Sequence, residues 1–301
     1  MSPNASAALH HLQSYGNLTA LDPYWTSLMA GSTSFDLAFW GTANVMGITT
    51  IGASLLCFAL DFMPSLRKYK IQPTRLPTLA SYWKCLKLAL LNQAVVHAPV
   101  HLTLLYLWGN RPIFSGALPL PTLATIVCEF ALFMVCEDCL FYWSHRFLHW
   151  KKVYKYVHKV HHEYTAPFGL AAIYTHPVEE FLSMMAAMTG PLLFGSHIVC
   201  LWIWLSFLLL ETVESHSGYE SPTLLGLRYF LPFMSCPLRH DYHHEKLEGN
   251  YGSTIAFWDW ICGTDAPFRA LQHAKAARGE YGWFDLFDRF SSVKIRKLKE
   301  Y

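Results

Sequence analysis

Eight of the sixteen histidines in this 301-residue chain fall in three short clusters. They read His145-Arg-Phe-Leu-His149, His158-Lys-Val-His161-His162 and His240-Asp-Tyr-His243-His244. Imidazole is a common ligand for iron, zinc, copper and nickel, and two of the clusters share the spacing H-x-x-H-H. A lone histidine, such as His197 or His273, reads as an ordinary hydrogen-bonded or surface imidazole. Eight clustered histidines with a duplicated spacing read as metal ligands. A structural zinc ion takes four ligands, so this number implies two ions. His176 and His216 stand between the clusters, each followed by a turn-forming residue, and are candidates for the same site. No H-E-x-x-H zinc-protease motif occurs, and the Glu/E-x-x-H pattern of soluble di-iron bundles is not evident.

Helical elements must carry these residues. His145 and His149 are four apart and share a helix face. The i, i+3, i+4 spacing of His158, His161 and His162 predicts a second shared face. Thirteen residues at about 100° each put His158 about 140° from His145 on a straight helix, so the chain must bend near residues 150–153. His240, His243 and His244 are expected on another helix. Acidic residues near the clusters are candidates for orienting the ligand imidazoles: Glu137, Asp138, Glu163, Glu179, Glu211, Glu214 and Asp241.

The rest of the chain reads as membrane-embedded. Hydrophobic residues make up 53% and charged residues only 15%, against about 25% charged in soluble domains. Mean hydropathy is +0.22. A net charge of +2 excludes nucleic-acid binding on global electrostatics. Residues 37–60, 88–110 and 181–210 are runs long enough to cross a bilayer, which takes roughly 20 apolar residues. A fourth run, 112–136, is interrupted only by Glu129. Residues 181–210 are expected to form a re-entrant hairpin bent at Gly190-Pro191. His97 and His101 lie within the second run and are expected to line a polar pocket.

The fold class that follows is all-α: an integral membrane helical bundle with a cytosolic histidine-rich helical cap. The expected organisation is a lumenal tail (1–36), transmembrane helices (37–143), a histidine-rich catalytic region (144–270) with a membrane hairpin at 181–210, and a cytosolic tail (271–301). The N-terminal tail lacks a signal-peptide pattern. Loop 61–87 holds six Lys or Arg against one acid, Asp61, so it is expected in the cytosol. The sequons at Asn4 and Asn17 are then candidate lumenal glycosylation sites. The ending Lys297-Leu-Lys299-Glu-Tyr301 resembles a retrieval signal of the endoplasmic reticulum. Cys136-Glu-Asp-Cys139 has no second pair, so a zinc ribbon is not expected and the eight cysteines are expected as thiols.

The order H-x-x-x-H, H-x-x-H-H, H-x-x-H-H in a membrane chain resembles the fatty acid hydroxylase superfamily of di-iron oxygenases. The intervening text is most similar to the sterol C4-methyl oxidase branch. The stretches that carry this are Tyr69-Lys-Ile-Gln-Pro73, Glu137-Asp138 before Tyr142-Trp143, and His158-Lys-Val-His-His-Glu-Tyr-Thr-Ala-Pro-Phe-Gly169. Further on are His176-Pro, Glu211-Thr-Val-Glu-Ser-His-Ser-Gly-Tyr219, the third cluster, and Asp259-Trp through Gly263-Thr-Asp265.

The resemblance implies that the eight clustered histidines bind two iron ions, with His176 and His216 as the remaining ligands. It implies oxidation of a C4 methyl group of a sterol by O2. Electrons would come from NAD(P)H through cytochrome b5 and its reductase, at the endoplasmic reticulum membrane with the catalytic face cytosolic. Repeated rounds would take methyl to alcohol, aldehyde and carboxylate, beside other enzymes of sterol C4 demethylation. Two alternatives stand. One is another hydroxylase or desaturase of the superfamily, acting on a sterol ring, a sterol side chain or a sphingoid base. The other is a non-catalytic metal-binding membrane protein.

Overall fold

The computed structural model describes residues 18–219 and 234–278. Asn4, Asn17 and the C-terminal Lys297–Tyr301 motif lie outside the described residues. Among the described residues the protein is helical, with no strand beyond two isolated bridges. A short helix α1 (Asp22–Met29) precedes a π-helical turn (Asp36–Gly41) that runs into α2 (Thr42–Asp61). Then come α3 (Leu79–Asn92), a second π-helical turn (Gln93–His97), α4 (Ala98–Trp108) and the long α5 (Leu123–Leu148). The apolar hairpin follows as α6 (Pro177–Phe194) and α7 (Ile198–Ser215). The last helices among the described residues are α8 (Pro237–Lys246), α9 (Phe257–Cys262) and α10 (Ala266–Ala277).

Among the described residues, three helical stretches are long and apolar enough to cross a membrane: Asp36–Asp61, Leu79–Trp108 and Ile198–Ser215. The first matches the expected run almost residue for residue. The second begins nine residues earlier than the apolar run. Thr78 caps it, accepting from the Ser81 N–H at 3.1 Å, and its first turns carry Lys84 and Lys87. Helix α5 is long enough to span but carries Glu129, Glu137 and Asp138, all buried.

The hairpin differs from expectation. Its bend lies at residues 195–197, and Gly190-Pro191 sits inside α6. Each arm has 18 residues, about 27 Å at 1.5 Å per residue, close to a hydrocarbon thickness of about 30 Å. Both features that suggested a break are compensated. Pro191 has no N–H to offer the carbonyl four residues back, and the Trp204 indole donates to that Ala187 carbonyl at 2.9 Å. Gly190 lets α6 press on α5, because a Cβ there would lie 2.7 Å from the Phe133 Cα. Phe133, Met188, Leu201 and Trp204 form the centre of the main core.

The connection between α2 and α3 ties this bundle to the histidine region. Lys70 Nζ pairs with Asp61 at 2.7 Å, both buried, and Tyr82 donates to the same carboxylate at 2.5 Å. Gln72 Nε2 donates to the Thr165 carbonyl and to Asp241, each at 2.9 Å. Arg75 reaches Thr165 Oγ1 at 3.0 Å, and Lys84 pairs with Glu163.

Candidate metal centre

Nine histidines converge in two buried groups. His145, His149, His158, His162 and His243 form the first; His161, His216, His240 and His244 form the second. The eight clustered residues are therefore all brought together, and His216 joins them from the C-terminal cap of α7. His176 does not join either group. It caps α6 instead, its Nδ1 accepting from the Val178 N–H at 3.1 Å, as the lone His197 caps α7 through Val199.

The duplicated spacing has a geometric meaning that a single shared face does not capture. On α8, His240 and His244 are one turn apart and serve the second group, while His243, about 100° round the helix, serves the first. In the earlier cluster the assignment is crossed: His158 and His162 serve the first group and His161 the second. Each H-x-x-H-H motif thus reaches into both groups. The predicted bend is present: α5 ends at Leu148, His149 caps it, and a single turn (Lys151–Tyr154) leads into the next cluster. That cluster is not one straight helix. Turns carry His158, and a 3-10 turn (His161–Glu163) splays the two adjacent imidazoles apart.

Within each group the Nε2 atoms face one another. In the first, His145–His158 and His158–His162 are 3.0 Å apart, and His149 lies 3.2 Å from both His162 and His243. In the second, His161–His216, His216–His240 and His240–His244 are 3.2, 2.8 and 3.0 Å. In five of the nine rings the opposite nitrogen is already engaged. Nδ1 donates to the carbonyls of Tyr251 (His145, 2.8 Å), Gly249 (His243, 2.6 Å), Tyr164 (His244, 3.0 Å), Thr212 (His216, 2.7 Å) and Tyr174 (His161, 3.4 Å). These bonds fix the proton on Nδ1 and turn the Nε2 lone pairs inward. Burial comes first, and for most of the nine the neighbouring imidazoles come second, in holding the rings below the ordinary imidazole value. Neutral rings are the ligand form.

Lone pairs facing lone pairs repel, and a cation between them removes that repulsion. Metal–nitrogen bonds of about 2.0–2.1 Å place neighbouring ligand atoms about 2.9 Å apart at right angles and about 3.4 Å apart in a tetrahedron. The observed separations lie in and just below this range. The donor set therefore fits two metal ions.

Of the acidic candidates, Glu179 lies against a ring of these groups, its Oε1 2.9 Å from His158 Nδ1. Glu137 and Asp138 hold the loop after α8, through Thr254 Oγ1 (3.4 Å) and the Ile255 N–H (3.0 Å). Asp241 takes Gln72, Glu163 takes Lys84 and Tyr174 (2.8 Å), and Glu214 sits half-buried on α7. Sequence reasoning missed the residues that place the Tyr251 and Gly249 carbonyls. Asp259 accepts from the Tyr251 and Gly252 N–H groups and from Thr264 Oγ1, at 2.8, 2.7 and 2.6 Å. Buried Arg239 reaches Asp265 at 3.3 Å and Asn250 at 3.4 Å. The Asp259-to-Asp265 stretch was visible in the sequence, but not its role.

A cavity of about 150 Å3, open at its mouth, leads to this centre. Its walls are largely apolar, with Met46, Met184, Met188, Leu205 and Leu208 among them. Its polar end carries His145, His161, His216, His240 and the buried carboxylates Glu137, Glu179 and Glu211. His97 and His101 line it as well, in a cavity more apolar than the polar pocket expected for them.

Residues 130–264 match the fatty acid hydroxylase family. A methylsterol monooxygenase of Danio rerio is 35% identical over 85% of this chain and 88% of its own length. One from Arabidopsis thaliana is 38% identical over 83% and 94%. The chain belongs to the fatty acid hydroxylase family. A very-long-chain aldehyde decarbonylase of Oryza sativa subsp. indica is also 38% identical, over 87% of this chain and 98% of its own. No solved structure matches. The family span encloses all nine converging histidines, so the matched region and the candidate metal centre coincide.

Proposed function

We propose that this protein is a membrane di-iron monooxygenase that oxidises a C4 methyl group of a sterol intermediate. The nine inward-facing Nε2 atoms would hold two iron ions. O2 would be the oxidant, with electrons from NAD(P)H through cytochrome b5 and its reductase. The net change of the first round is R–CH3 + O2 + two electrons + two protons to R–CH2OH + H2O. The site would face the cytosol at the endoplasmic reticulum membrane, in line with the basic loop 61–87. The observation that carries the reading is an apolar cavity ending on two imidazole groups, in a chain alike along most of its length to methylsterol monooxygenases.

Iron held by imidazole supplies the redox chemistry needed to activate O2. The chain's own residues do the rest. Backbone carbonyls fix the ring tautomers, and the loop tied by Asp259 keeps those carbonyls in place. Met46, Met184, Leu205 and Leu208 form a wall that would bind an apolar skeleton and exclude water. Gln72 and Arg75 in the connection between α2 and α3, with Lys84 on α3, hold the histidine region through Asp241, Thr165 and Glu163.

The test uses nanodisc-embedded, iron-loaded protein with NADH, cytochrome b5 and its reductase. It is offered 4,4-dimethyl- and 4-monomethylsterols, and products are followed by mass spectrometry. Oxidation at the C4 methyl that disappears in His161→Ala is the expected result. Iron retained with no sterol product would overturn the substrate assignment and direct attention to other lipids, long-chain aldehydes included. Turnover untouched by His161→Ala would overturn the site.

A further inference from the structure

Glu179 and Glu180 are neighbours on the first turn of α6, yet they serve different walls of the cavity. Glu179 faces His158. Glu180 turns toward the π-helical segment Gln93–His97, where His97 Nε2 lies 2.6 Å from its Oε1. Its other oxygen accepts from Thr175 Oγ1. Thr175 is itself held by Asn92 Nδ2, which donates to its carbonyl at 2.9 Å and its hydroxyl at 3.3 Å. The His97 and Glu180 side chains are only 16% and 15% exposed. With both carboxylate oxygens acting as acceptors, the proton of a neutral His97 ring sits on Nε2. Nδ1 then keeps its lone pair. That atom is buried, has no hydrogen-bond partner, and belongs to a residue lining the cavity. A buried acceptor left unmatched costs stability, and a π-helical insertion inside an α-helix is a frequent mark of a functional position.

We propose that His97 is the substrate-positioning residue of this cavity: its Nδ1 accepts a hydrogen bond from the ring hydroxyl of the sterol, and Glu180 holds it in the accepting tautomer. This rests on the sterol C4 reading above. On a 3-hydroxysterol the hydroxyl and the C4 methyl are on neighbouring carbons, so the hydroxyl must be held close to the imidazole groups. The adjacency of Glu180 to Glu179 puts His97 at that depth. His101, one turn further along, also presents a buried Nε2 without a partner, but it lies beside Phe39 and Phe114, away from Glu180.

The experiment measures binding and kcat/KM for a 4-methylsterol and its 3-deoxy counterpart on iron-loaded protein in nanodiscs. Wild type is expected to favour the hydroxysterol by about 10–100-fold, the worth of one buried hydrogen bond. His97→Leu is expected to reduce that preference to about threefold or less while keeping its iron. His97→Asn, which returns an oxygen near the Nδ1 position, recovers part of it. Glu180→Gln leaves His97 in place but frees its tautomer, and lowers the preference by a smaller factor. It also serves as the second variant where His97→Leu does not fold. His101→Leu keeps the wild-type preference. A wild type with no preference overturns the proposal, as does a His97→Leu that retains it or a loss found only in His101→Leu. Hydroxyl-dependent binding with no oxidation at C4 would instead remove the functional reading and leave His97 as the hydroxyl acceptor.

Discussion

The two histidine groups are built from the same motifs but meet different surroundings. The first has five imidazoles, and only His145 among them lines the cavity. The second has four, and three of these, His161, His216 and His240, line it. The first is closed behind Glu179 and the carbonyls of Gly249 and Tyr251. An ion in the second would have fewer protein ligands and the substrate space beside it, the arrangement of sites that keep a position open for chemistry. On the proposed di-iron reading, the second group would stand on the substrate side and the first would support it. Because each H-x-x-H-H motif reaches into both groups, neither can shift without the other.

The largest effect should separate the groups directly. His216→Ala removes a cavity-facing ligand and leaves the first group complete; sterol oxidation should fall by about 1000-fold or more, on the scale of losing a group that acts as part of a unit. Iron per chain should drop by about one ion. Equal iron loss and equal residual activity in His149→Ala would erase the distinction.

Next is Glu179→Gln, which weakens the partner of His158. Outer partners of ligand histidines are worth about 10–100-fold in metal affinity. The loss should appear in one of two binding phases in an iron titration. A uniform loss across both phases would break the assignment of Glu179 to the first group.

Acid should discriminate folded from unfolded chains through both groups at once. Burial, aided by neighbouring imidazoles, keeps these rings neutral in the fold. Unfolding releases them to take up protons near pH 6.5. The unfolded state then binds more protons, so metal-free protein loses stability as pH falls below about 6.5, by up to about 1.4 kcal/mol per pH unit for each such ring. Above that pH the contribution is constant. Denaturant midpoints of metal-free protein between pH 8 and 5 check this; a flat profile would count against the buried neutral rings.

The smallest effect is expected at the histidine outside both groups. His176→Ala should cost about 1 kcal/mol as a lost helix cap and leave iron content at the wild-type value. Iron loss in that variant would return His176 to the ligand set.

The helical class, the first membrane helix and eight of nine convergent imidazoles were legible because spacing and hydropathy encode them. The bend of the hairpin was not. Gly190-Pro191 looks like a break only until Trp204, 13 residues on, supplies the missing hydrogen bond to Ala187. His176 and His216 were indistinguishable in sequence, since both flank an apolar segment beside a turn. Their separation depends on which end of a helix each occupies: His176 precedes α6 and His216 follows α7. Glu179 was among the acidic candidates and lies against His158, but the other partners of the rings were harder to read. The outer partners of the rings are mostly backbone carbonyls, which every residue carries and no motif announces. The crossed sharing of the two H-x-x-H-H motifs needed the 3-10 turn at His161–Glu163, a local departure from the helix that spacing alone presumes.

The connection between α2 and α3 makes sidedness a single question. Gln72 and Arg75 are bonded to Thr165, Gln72 to Asp241, and Lys84 to Glu163, so this stretch and the imidazole cap cannot sit on opposite faces of a bilayer. One accessibility probe placed there, a protease site or a glycan acceptor, would report the compartment from which electrons must arrive at all nine rings.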